Sequence, residues 1–457
     1  MEFRKITLIN DLEKMKNVYL HRKIDGELLA WSKDDAHKPL LVRGARQVGK
    51  SSAVRNLAKE FEYFVEVNFD KREDVCALFE GNIDPQRICD NLSFIYKIPI
   101  VPGKTLLFFD EIQACTKAIS SLRYFREEYP ELHVIAAGSL LEFALEELPS
   151  FGVGRIRSMF VYPFSFEEFL MATGDQMLWT GIVKATSQEP LWEPVHNKAL
   201  LLLKNFLILG GMPEVVSAYV GGSSMLECMK IMDDLILSFQ DDFTKYKKRV
   251  PSSRISEVFD SVMQSAGKSF VYTGAAEANL KQIKEALDLL IKAGLVMPVT
   301  HTAANGIPLG AEVNRKKQKM LPLDTGLFQR ILGLDMSDMF LSDEFEVVNK
   351  GSIAEIYVGL EIKKSASCYH REDLYFWKRG EKNSNAEVDY LLQKNEEIIP
   401  IEVKSGKRGS MQSLHLFLSH KKLPYGVRTS LENFASYENI RVIPLYAVGN
   451  IRNQLLL

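Results

Sequence analysis

The residues best able to do chemistry in this chain form a glycine-rich loop. Residues 44–52 read GARQVGKSS, directly after the apolar run 39–42 and before the helical pattern 53–58. They match G-x-x-x-x-G-K-[ST], a loop whose backbone N–H groups point at phosphate oxygens. A chance glycine loop is the alternative, but strand, loop and helix follow one another in the required order. We therefore predict a phosphate-binding site with the contacts Gly44, Gln47, Val48, Gly49, Lys50, Ser51 and Ser52.

Two acids, Asp110 and Glu111, end the apolar run 105–109 further along the chain. The carboxyl ends of parallel strands are where such sheets bind ligands, so we expect this pair beside the loop. Asp110 and the Ser51 hydroxyl would then hold Mg²⁺, while Lys50 would reach the β- and γ-phosphates. Glu111 is the natural base to orient the attacking water. An ordinary acidic strand cap is the alternative.

Two further residues are predicted as catalytic alongside Glu111. Ser139 ends the apolar run 133–138, where it could sense a γ-phosphate or could simply cap the next helix. Arg155 has the charge and fork geometry that suit a transition-state phosphate, supplied within the chain or by a neighbouring subunit of an oligomer. A surface arginine paired with a carboxylate is an equally good interpretation of Arg155.

Alternation of strands and helices must position these residues. The apolar runs 63–69, 105–111, 133–139 and 159–162 alternate with helical stretches. This order predicts a parallel, doubly wound α/β sheet.

Length and composition limit the remaining possibilities. A chain of 457 residues is expected to form roughly three or four domains, since single cores rarely exceed about 250 residues. The net charge of -2 gives no overall attraction to nucleic acid, so any such contact needs local basic patches. Five cysteines without a C-x-x-C pair argue against a zinc knuckle or disulfide framework. No bilayer-spanning run or signal-peptide core is evident, so we expect a cytoplasmic protein without membrane contact.

Several motifs together resemble one protein family. GARQVGKSS, FFDEIQ, AAGS, GRIR followed by YPFSFEEF, and the later GGMPE are similar to motifs of prokaryotic AAA-type ATPases that carry a C-terminal nuclease-like domain. The resemblance spans nearly the whole chain, although the usual proline and threonine are replaced by Ala45 and Ser51. It implies ATP as the nucleotide and four parts: an AAA-type core at 1–170, a helical lid at 171–250, a winged-helix-like domain at 251–335 and a nuclease-like domain at 336–457.

The middle of the chain supplies two basic runs. A helix over 283–292 ends at Gly294 and is followed by two strands, which is the order of a winged helix. Its wing carries RKKQK at 315–319, and the preceding linker carries KYKKR at 245–249. These runs could contact the phosphates of DNA or another nucleic acid. Solvated faces and contact with a protein partner are the alternatives.

A second chemical signal lies near the C-terminus. The runs 386–392 and 398–404 alternate polar and apolar residues and are joined by five residues, which predicts a β-hairpin. A turn centred between residues 395 and 396 places Asp389 opposite Glu402, with Lys404 on the same face. With Glu355 on a helix, the order Glu…Asp…Glu-x-Lys resembles the PD-(D/E)XK nuclease core. That resemblance predicts Glu355, Asp389 and Glu402 as metal ligands and Lys404 as catalytic. The alternative is an ion-pair cluster in an inactive descendant.

Two functions follow from these sites. The first is an ATP-hydrolysing protein whose nucleotide state controls the nuclease-like module, acting on nucleic acid. The second is a nucleotide-gated regulatory switch whose nuclease-like part is an inactive scaffold. An intact Glu111 favours the first.

Overall fold

The computed structural model describes residues 19–147, 154–246, 250–276, 279–334, 351–380, 386–406 and 410–455. Across these ranges no helix has the length and apolar character needed to cross a bilayer. The basic linker predicted at 245–249 falls outside the side chains that are described.

A five-stranded sheet forms the first part of the chain, with the strand order β2-β3-β4-β1-β5. Every neighbouring pair is parallel, which confirms the predicted parallel α/β sheet. Two central strands, β3 and β4, are buried along their whole length because helices cover both faces. The strands are β1 Leu40–Arg43, β2 Tyr63–Asn68, β3 Thr105–Asp110, β4 His133–Ala137 and β5 Arg157–Phe160, and the helices are α1 Lys23–Ser32, α2 Lys50–Leu57, α3 Pro85–Tyr96, α4 Thr116–Glu128 and α5 Leu141–Glu147.

The fifth strand lies two residues earlier than the predicted 159–162. It pairs with β1, and that ladder ends where Arg43 meets Phe160. After Arg43 the chain leaves β1 and enters the glycine-rich loop, so the residues that follow Phe160 have no β1 residue with which to pair. The next residue, Val161, still donates its N–H to the Arg43 carbonyl at 2.8 Å.

A helical region follows the first sheet in the segment predicted as the lid, and its role as a lid stays a prediction. Its break at Gly210 and Gly211 packs tightly on the preceding segment, because a Cβ added at Gly211 would lie 2.3 Å from the Phe164 carbonyl oxygen. Only glycine allows that approach. The helices are α6 Phe166–Ala172, α7 Gln176–Lys184, α8 Glu193–Leu209, α9 Pro213–Val220 and α10 Met225–Asp242.

An eight-stranded mixed sheet occupies the rest of the chain, in the order β12-β13-β11-β10-β9-β8-β6-β7. The β6–β7 hairpin belongs to the segment predicted as a winged helix, and the winged-helix identity stays a prediction. However, β6 also pairs in parallel with β8, so this hairpin and the C-terminal strands form one sheet. The strands are β6 Val296–Thr302, β7 Val313–Pro322, β8 Leu374–Lys378, β9 Glu387–Lys394, β10 Glu397–Val403, β11 Gly426–Ser430, β12 Ala435–Tyr437 and β13 Ile440–Pro444.

The second sheet is accompanied by the helices α11 Ser252–Ser265, α12 Leu280–Lys292, α13 Thr325–Ile331, α14 Gly351–Lys364, α15 Gln412–Lys421 and α16 Ile451–Gln454. The predicted β9–β10 hairpin is confirmed with its register, since Lys394 pairs with Glu397 and Tyr390 with Ile401. One further step of the same register brings Asp389 opposite Glu402. The domain boundaries at 170, 250 and 335 stay predictions.

Candidate nucleotide site and C-terminal acidic cluster

The glycine-rich loop has the backbone conformation that its sequence demands. Gly44 has φ 148° and Gly49 has φ 93°, both in the region that favours glycine. A Cβ at Gly44 would lie 2.2 Å from the Val161 carbonyl oxygen, so the loop can approach β5 only without a side chain there. Gln47 also takes a positive φ of 62°. These turns leave the loop curled above the start of α2, where N–H groups and the helix dipole favour an anion.

Lys50 is buried inside this curl. Its Nζ donates to the carbonyl oxygens of Gly44 at 3.0 Å and Ala45 at 2.7 Å, so the ammonium lies where phosphate oxygens would replace the carbonyls. Burial lowers the pKa of Lys50 to about 8, although Glu111 and Asp110 oppose the shift. Phosphates at the loop would favour the charged form of Lys50, because they add negative partners to those of Glu111 and Asp110.

The side chains of Ser51 and Asp110 meet as the sequence predicts. The Ser51 hydroxyl donates to Asp110 Oδ1 at 2.9 Å, and Asn68 Nδ2 donates to Oδ2 at 3.1 Å. Burial raises the pKa of Asp110, while the hydrogen bond from Ser51 opposes that shift. A hydroxyl and a carboxylate side by side are the oxygen donors that Mg²⁺ takes together with phosphates. These two residues therefore fit Mg²⁺, which would neutralise charge on the phosphates.

Glu111 follows Asp110 with a left-handed φ of 50°, which turns its carboxylate out of the strand direction. Its Oε2 accepts from Gln113 Nε2 at 2.6 Å and from the Ser139 hydroxyl at 3.4 Å. Glu111, Ser139 and Lys50 all line one cavity of about 550 Å³ above the loop. The structure thus brings Ser139 to the predicted water-activating acid. Gln113 was not predicted, because an amide after two acids carries no distinctive sequence signal.

Arg155 lies elsewhere. Its side chain is 55% exposed and its Nε pairs with Glu127 Oε1 at 3.0 Å, at the C-terminal end of α4. That end leads to the start of β4, the sheet edge opposite the loop. Arg155 is also absent from the residues that line the cavity. A catalytic role within its own chain does not fit this placement, and a role in a neighbouring subunit stays a prediction.

Arg22 contacts the loop, lines the same cavity and was not predicted. Its Nη1 donates to the Val48 carbonyl at 3.0 Å and its Nη2 to the Tyr162 carbonyl at 2.7 Å. Its Nε pairs with the buried Glu168 at 2.9 Å, and the guanidinium stacks 4.2 Å from the centre of the Phe164 ring. Arg22 therefore joins the glycine-rich loop to the YPFSFEEF motif. Its partner Glu168 is 146 residues away in sequence, so no local pattern could indicate the contact.

A second arginine, Arg46, links the loop to the helical region. Its Nη1 lies 2.6 Å and 2.7 Å from the two carboxylate oxygens of Asp242, the last residue of α10. The pKa of Arg46 is raised, first by its hydrogen bonds with Asp242. Arg46 also lines the nucleotide cavity together with Pro213 and Ser217 of α9. The loop and the helical region therefore share one charged contact at the cavity wall.

The four C-terminal residues predicted to act together are neighbours. Lys404 Nζ lies 2.7 Å from Glu402 Oε1, and Asp389 Oδ2 accepts the Val403 N–H at 2.8 Å. Burial raises the pKa of Glu402 to about 7, and the Asp389 charge adds to the shift. The Glu355 carboxylate reaches the same place from α14, since Lys319 Nζ lies 2.7 Å from it and 3.8 Å from Asp389 Oδ1.

A metal ion does not fit this cluster as it stands. The Nζ atom of Lys319 lies 2.7 Å from Glu355, 2.5 Å from Glu387 and 3.8 Å from Asp389. Throughout the described ranges no group of three or more His, Cys, Asp or Glu residues has the arrangement of a metal site. Lys319 and Glu387 were missed, because the sequence showed Lys319 only as the last member of a basic run.

Three family models match separate segments of the chain. Residues 36–170 match the family model described as AAA domain. Two other segments match families of unknown function: 200–338 match Domain of unknown function (DUF8612) and 350–448 match Domain of unknown function (DUF4143). None of the curated proteins matches the chain.

Three solved structures have a loose likeness to the chain. A Walker-type ATPase of Pyrococcus abyssi is 15% identical over 69% of this chain and 96% of that chain, with a TM-score of 0.45. The Aeropyrum pernix ORC1 protein, solved in complex with DNA, is 13% identical over 71% and 94%, with a TM-score of 0.30. A signal transduction ATPase with numerous domains from Pyrococcus horikoshii is 12% identical over 77% and 46%, with a TM-score of 0.26. The family model and the parallel sheet with its glycine-rich loop show that residues 36–170 are similar to AAA domains and have a P-loop α/β fold.

Proposed function

We propose that this protein binds and hydrolyses ATP with Mg²⁺, and that its nucleotide state controls the C-terminal nuclease-like module. The observation that carries the hydrolytic part is the meeting of loop and acids at one cavity: Ser51 contacts Asp110, and Glu111 lies beside Ser139. Lys50 neutralises the β- and γ-phosphates, Ser51 and Asp110 hold Mg²⁺, and Glu111 orients water for attack.

One helix supports the coupling of the two sites. The C-terminal half of α14 docks on the AAA domain, where Glu361 accepts the Phe166 N–H at 3.2 Å and Lys364 Nζ donates to the Phe164 carbonyl at 2.9 Å. Phe164 lines the nucleotide cavity. Six residues earlier, which is about 9 Å along the helix, Glu355 enters the acidic cluster. A shift of the cavity wall therefore moves a rigid element that ends in the second site.

The P-loop itself contacts two later segments. Arg46 pairs with Asp242 of the helical region, and a Cβ at Gly294 after α12 would lie 3.2 Å from Ala45. We propose that Arg46 responds to bound nucleotide. The phosphates of a nucleotide in the cavity compete with the Asp242 carboxylate for the guanidinium of Arg46. Loss of the ion pair then frees α10 to change its position relative to the loop.

Two substitutions test the hydrolytic assignment. Lys50→Ala removes the phosphate-binding ammonium and is expected to abolish binding of a fluorescent ATP analogue. Glu111→Gln keeps the shape and is expected to retain binding while turnover falls by about 10²-fold or more. Phosphate release and equilibrium binding measure the two effects separately. Wild-type turnover in both variants would refute the assignment.

Nucleic acid is the partner we propose for the module. Arg315, Lys316 and Lys317 are exposed on β7, which is the edge strand of the eight-stranded sheet. A basic edge strand both discourages strand pairing with other chains and attracts phosphates. Filter binding over a salt series tests this role with the double charge reversal Lys316→Glu and Lys317→Glu. Affinity that is independent of salt, or equal in the variant, would eliminate it.

A further inference from the structure

Lys319, in the acidic cluster, is more deeply buried than Lys404 and the basic residues that precede it on β7. Lys319 is 1% exposed on β7, whereas Lys404 at the same cluster keeps 23% of its side chain in solvent. Arg315, Lys316 and Lys317, which lie in an irregular stretch of β7 between the ladder pairs of Asn314 and Gln318, are exposed. The basic side chains of β7 are thus exposed at residues 315–317 and buried at Lys319, which lies between the Glu355 and Glu387 carboxylates.

The surroundings of Lys319 keep its charge despite burial. Burial opposes the ammonium, but the carboxylates of Glu355 at 2.7 Å, Glu387 at 2.5 Å and Asp389 at 3.8 Å from Nζ favour the charged form. The ammonium also lies 5.1 Å from the centre of the Phe376 ring, at a distance suited to a cation–π contact. A buried ammonium needs this number of partners, because an unpaired one would lose its proton instead.

The same partners are the atoms that a divalent cation would require. Glu355 and Asp389 are two of the three acids predicted as metal ligands, and Nζ lies near both of them. The other oxygen of Asp389 accepts the Val403 N–H at 2.8 Å. A divalent ion needs carboxylate oxygens at about 2.0–2.6 Å and would repel a fixed ammonium held at the same acids.

We infer that Lys319 is a tethered cation that takes the place of the divalent metal in the C-terminal module. The Lys319 ammonium provides the positive charge beside Glu355 and Asp389 that a metal ion would otherwise provide. The module therefore keeps the shape of the site but has no metal ion with which to cleave a phosphodiester. Because β7 also carries Arg315–Lys317, the same contact fixes the basic edge strand against α14 and β9. The module is therefore suited to hold a phosphate backbone without cutting it, which rests on the proposed nucleic-acid partner, whereas the replacement of the metal by Lys319 does not.

Manganese binding to the full-length, nucleotide-free chain tests this inference by electron paramagnetic resonance. We expect wild type and Asp389→Asn to bind the same amount of Mn²⁺. Lys319→Met, which removes the charge and keeps the length, is expected to gain a bound Mn²⁺ that is lost again when Asp389→Asn is added. Lys317→Met, the same substitution at an exposed lysine two residues away on β7, is the matched control and is expected to match wild type.

Several results would overturn the inference. Wild-type Mn²⁺ that is lost in Asp389→Asn would show that the metal site is functional beside Lys319. A folded Lys319→Met variant that gains no Mn²⁺ would show that the lysine does not stand in for a metal. Circular dichroism checks the fold of each variant. If Lys319→Met fails to fold, the comparison of wild type with Asp389→Asn still decides, since equal binding supports the inference and unequal binding contradicts it.

Discussion

Replacement of Asp242 by asparagine is expected to raise the affinity for ATP. Asp242 is 7% exposed and faces Arg46 Nη1 through both carboxylate oxygens, at 2.6 Å and 2.7 Å. Asparagine has nearly the same size, so Asp242→Asn removes the negative charge with little change in packing. Arg46 is then no longer held by a carboxylate, and the phosphates of a nucleotide meet less competition for it.

The size of this effect follows from the exposure of the pair. The Arg46 side chain is 40% exposed, so solvent screens the interaction, and such pairs contribute about 0.2–1 kcal/mol. An advantage near the upper limit, about 1 kcal/mol, corresponds to about fivefold tighter binding. ADP is expected to gain less, because it lacks the γ-phosphate that provides most of the charge.

Equilibrium titration with fluorescent analogues of ATP and ADP measures both affinities. Asp241→Asn is the matched control, since Asp241 precedes Asp242 on α10 and is exposed. The reasoning fails if Asp242→Asn folds normally yet binds ATP as wild type does, or if Asp241→Asn produces the same gain. Arg46→Met is expected to act in the opposite direction and to weaken ATP more than ADP.

Three further outcomes are expected. Burial lowers the pKa of Lys50 to about 8. The affinity of the wild type for ATP is therefore expected to be highest below that pH and to fall by up to about tenfold per pH unit above it. In the same titration the residual ATP affinity of Lys50→Arg, which stays charged, is expected not to change with pH. Asp324 is buried and accepts the N–H groups of residues 211, 326 and 327, so Asp324→Ala is expected to cost about 2–4 kcal/mol in urea unfolding. The exposed helix cap Asp84 makes Asp84→Ala the control at about 1 kcal/mol, and equal losses would contradict the buried role. If Arg155 acts in a neighbouring subunit, ATP turnover per chain rises with protein concentration in the wild type but not in Arg155→Ala. Turnover that is independent of protein concentration would contradict a catalytic role and would restrict Arg155 to its ion pair with Glu127.

The parts of the fold that sequence reasoning predicted are those encoded within short segments. The loop at 44–52, the acids that end β3 and the register of the β9–β10 hairpin each depend on residues only a few positions apart. Period-two alternation determines which face a strand residue occupies, and a five-residue connection limits the possible registers. Asp389 and Glu402 could therefore be placed opposite each other without a structure.

The contacts that sequence reasoning missed join residues distant in the chain. Arg22 and Glu168 are 146 positions apart, and Lys319 and Glu355 are 36 apart. A lysine on an alternating strand has the same local pattern whether its face meets water or a carboxylate cluster. Which of these it meets depends on the parallel pairing of β6 with β8, and strand propensity does not encode the choice of partner. Arg155 was assigned by the charge and fork geometry of its side chain, which carry no information on its distance from the loop.

The pairing of β6 with β8 also limits where the chain can be cut into fragments and which segments can be exchanged between relatives. Val299 of β6 lies beside Leu374 of β8, so a fragment that stops before residue 336 would expose the inner edge of its hairpin as a template for aggregation. The same cut would separate Lys319 from Glu355 and Glu387. Exchange of the C-terminal module between relatives would succeed only if the β6–β7 hairpin travelled with it. The unit that recombination can move therefore begins before β6, well inside the segment whose sequence pattern suggests a separate domain.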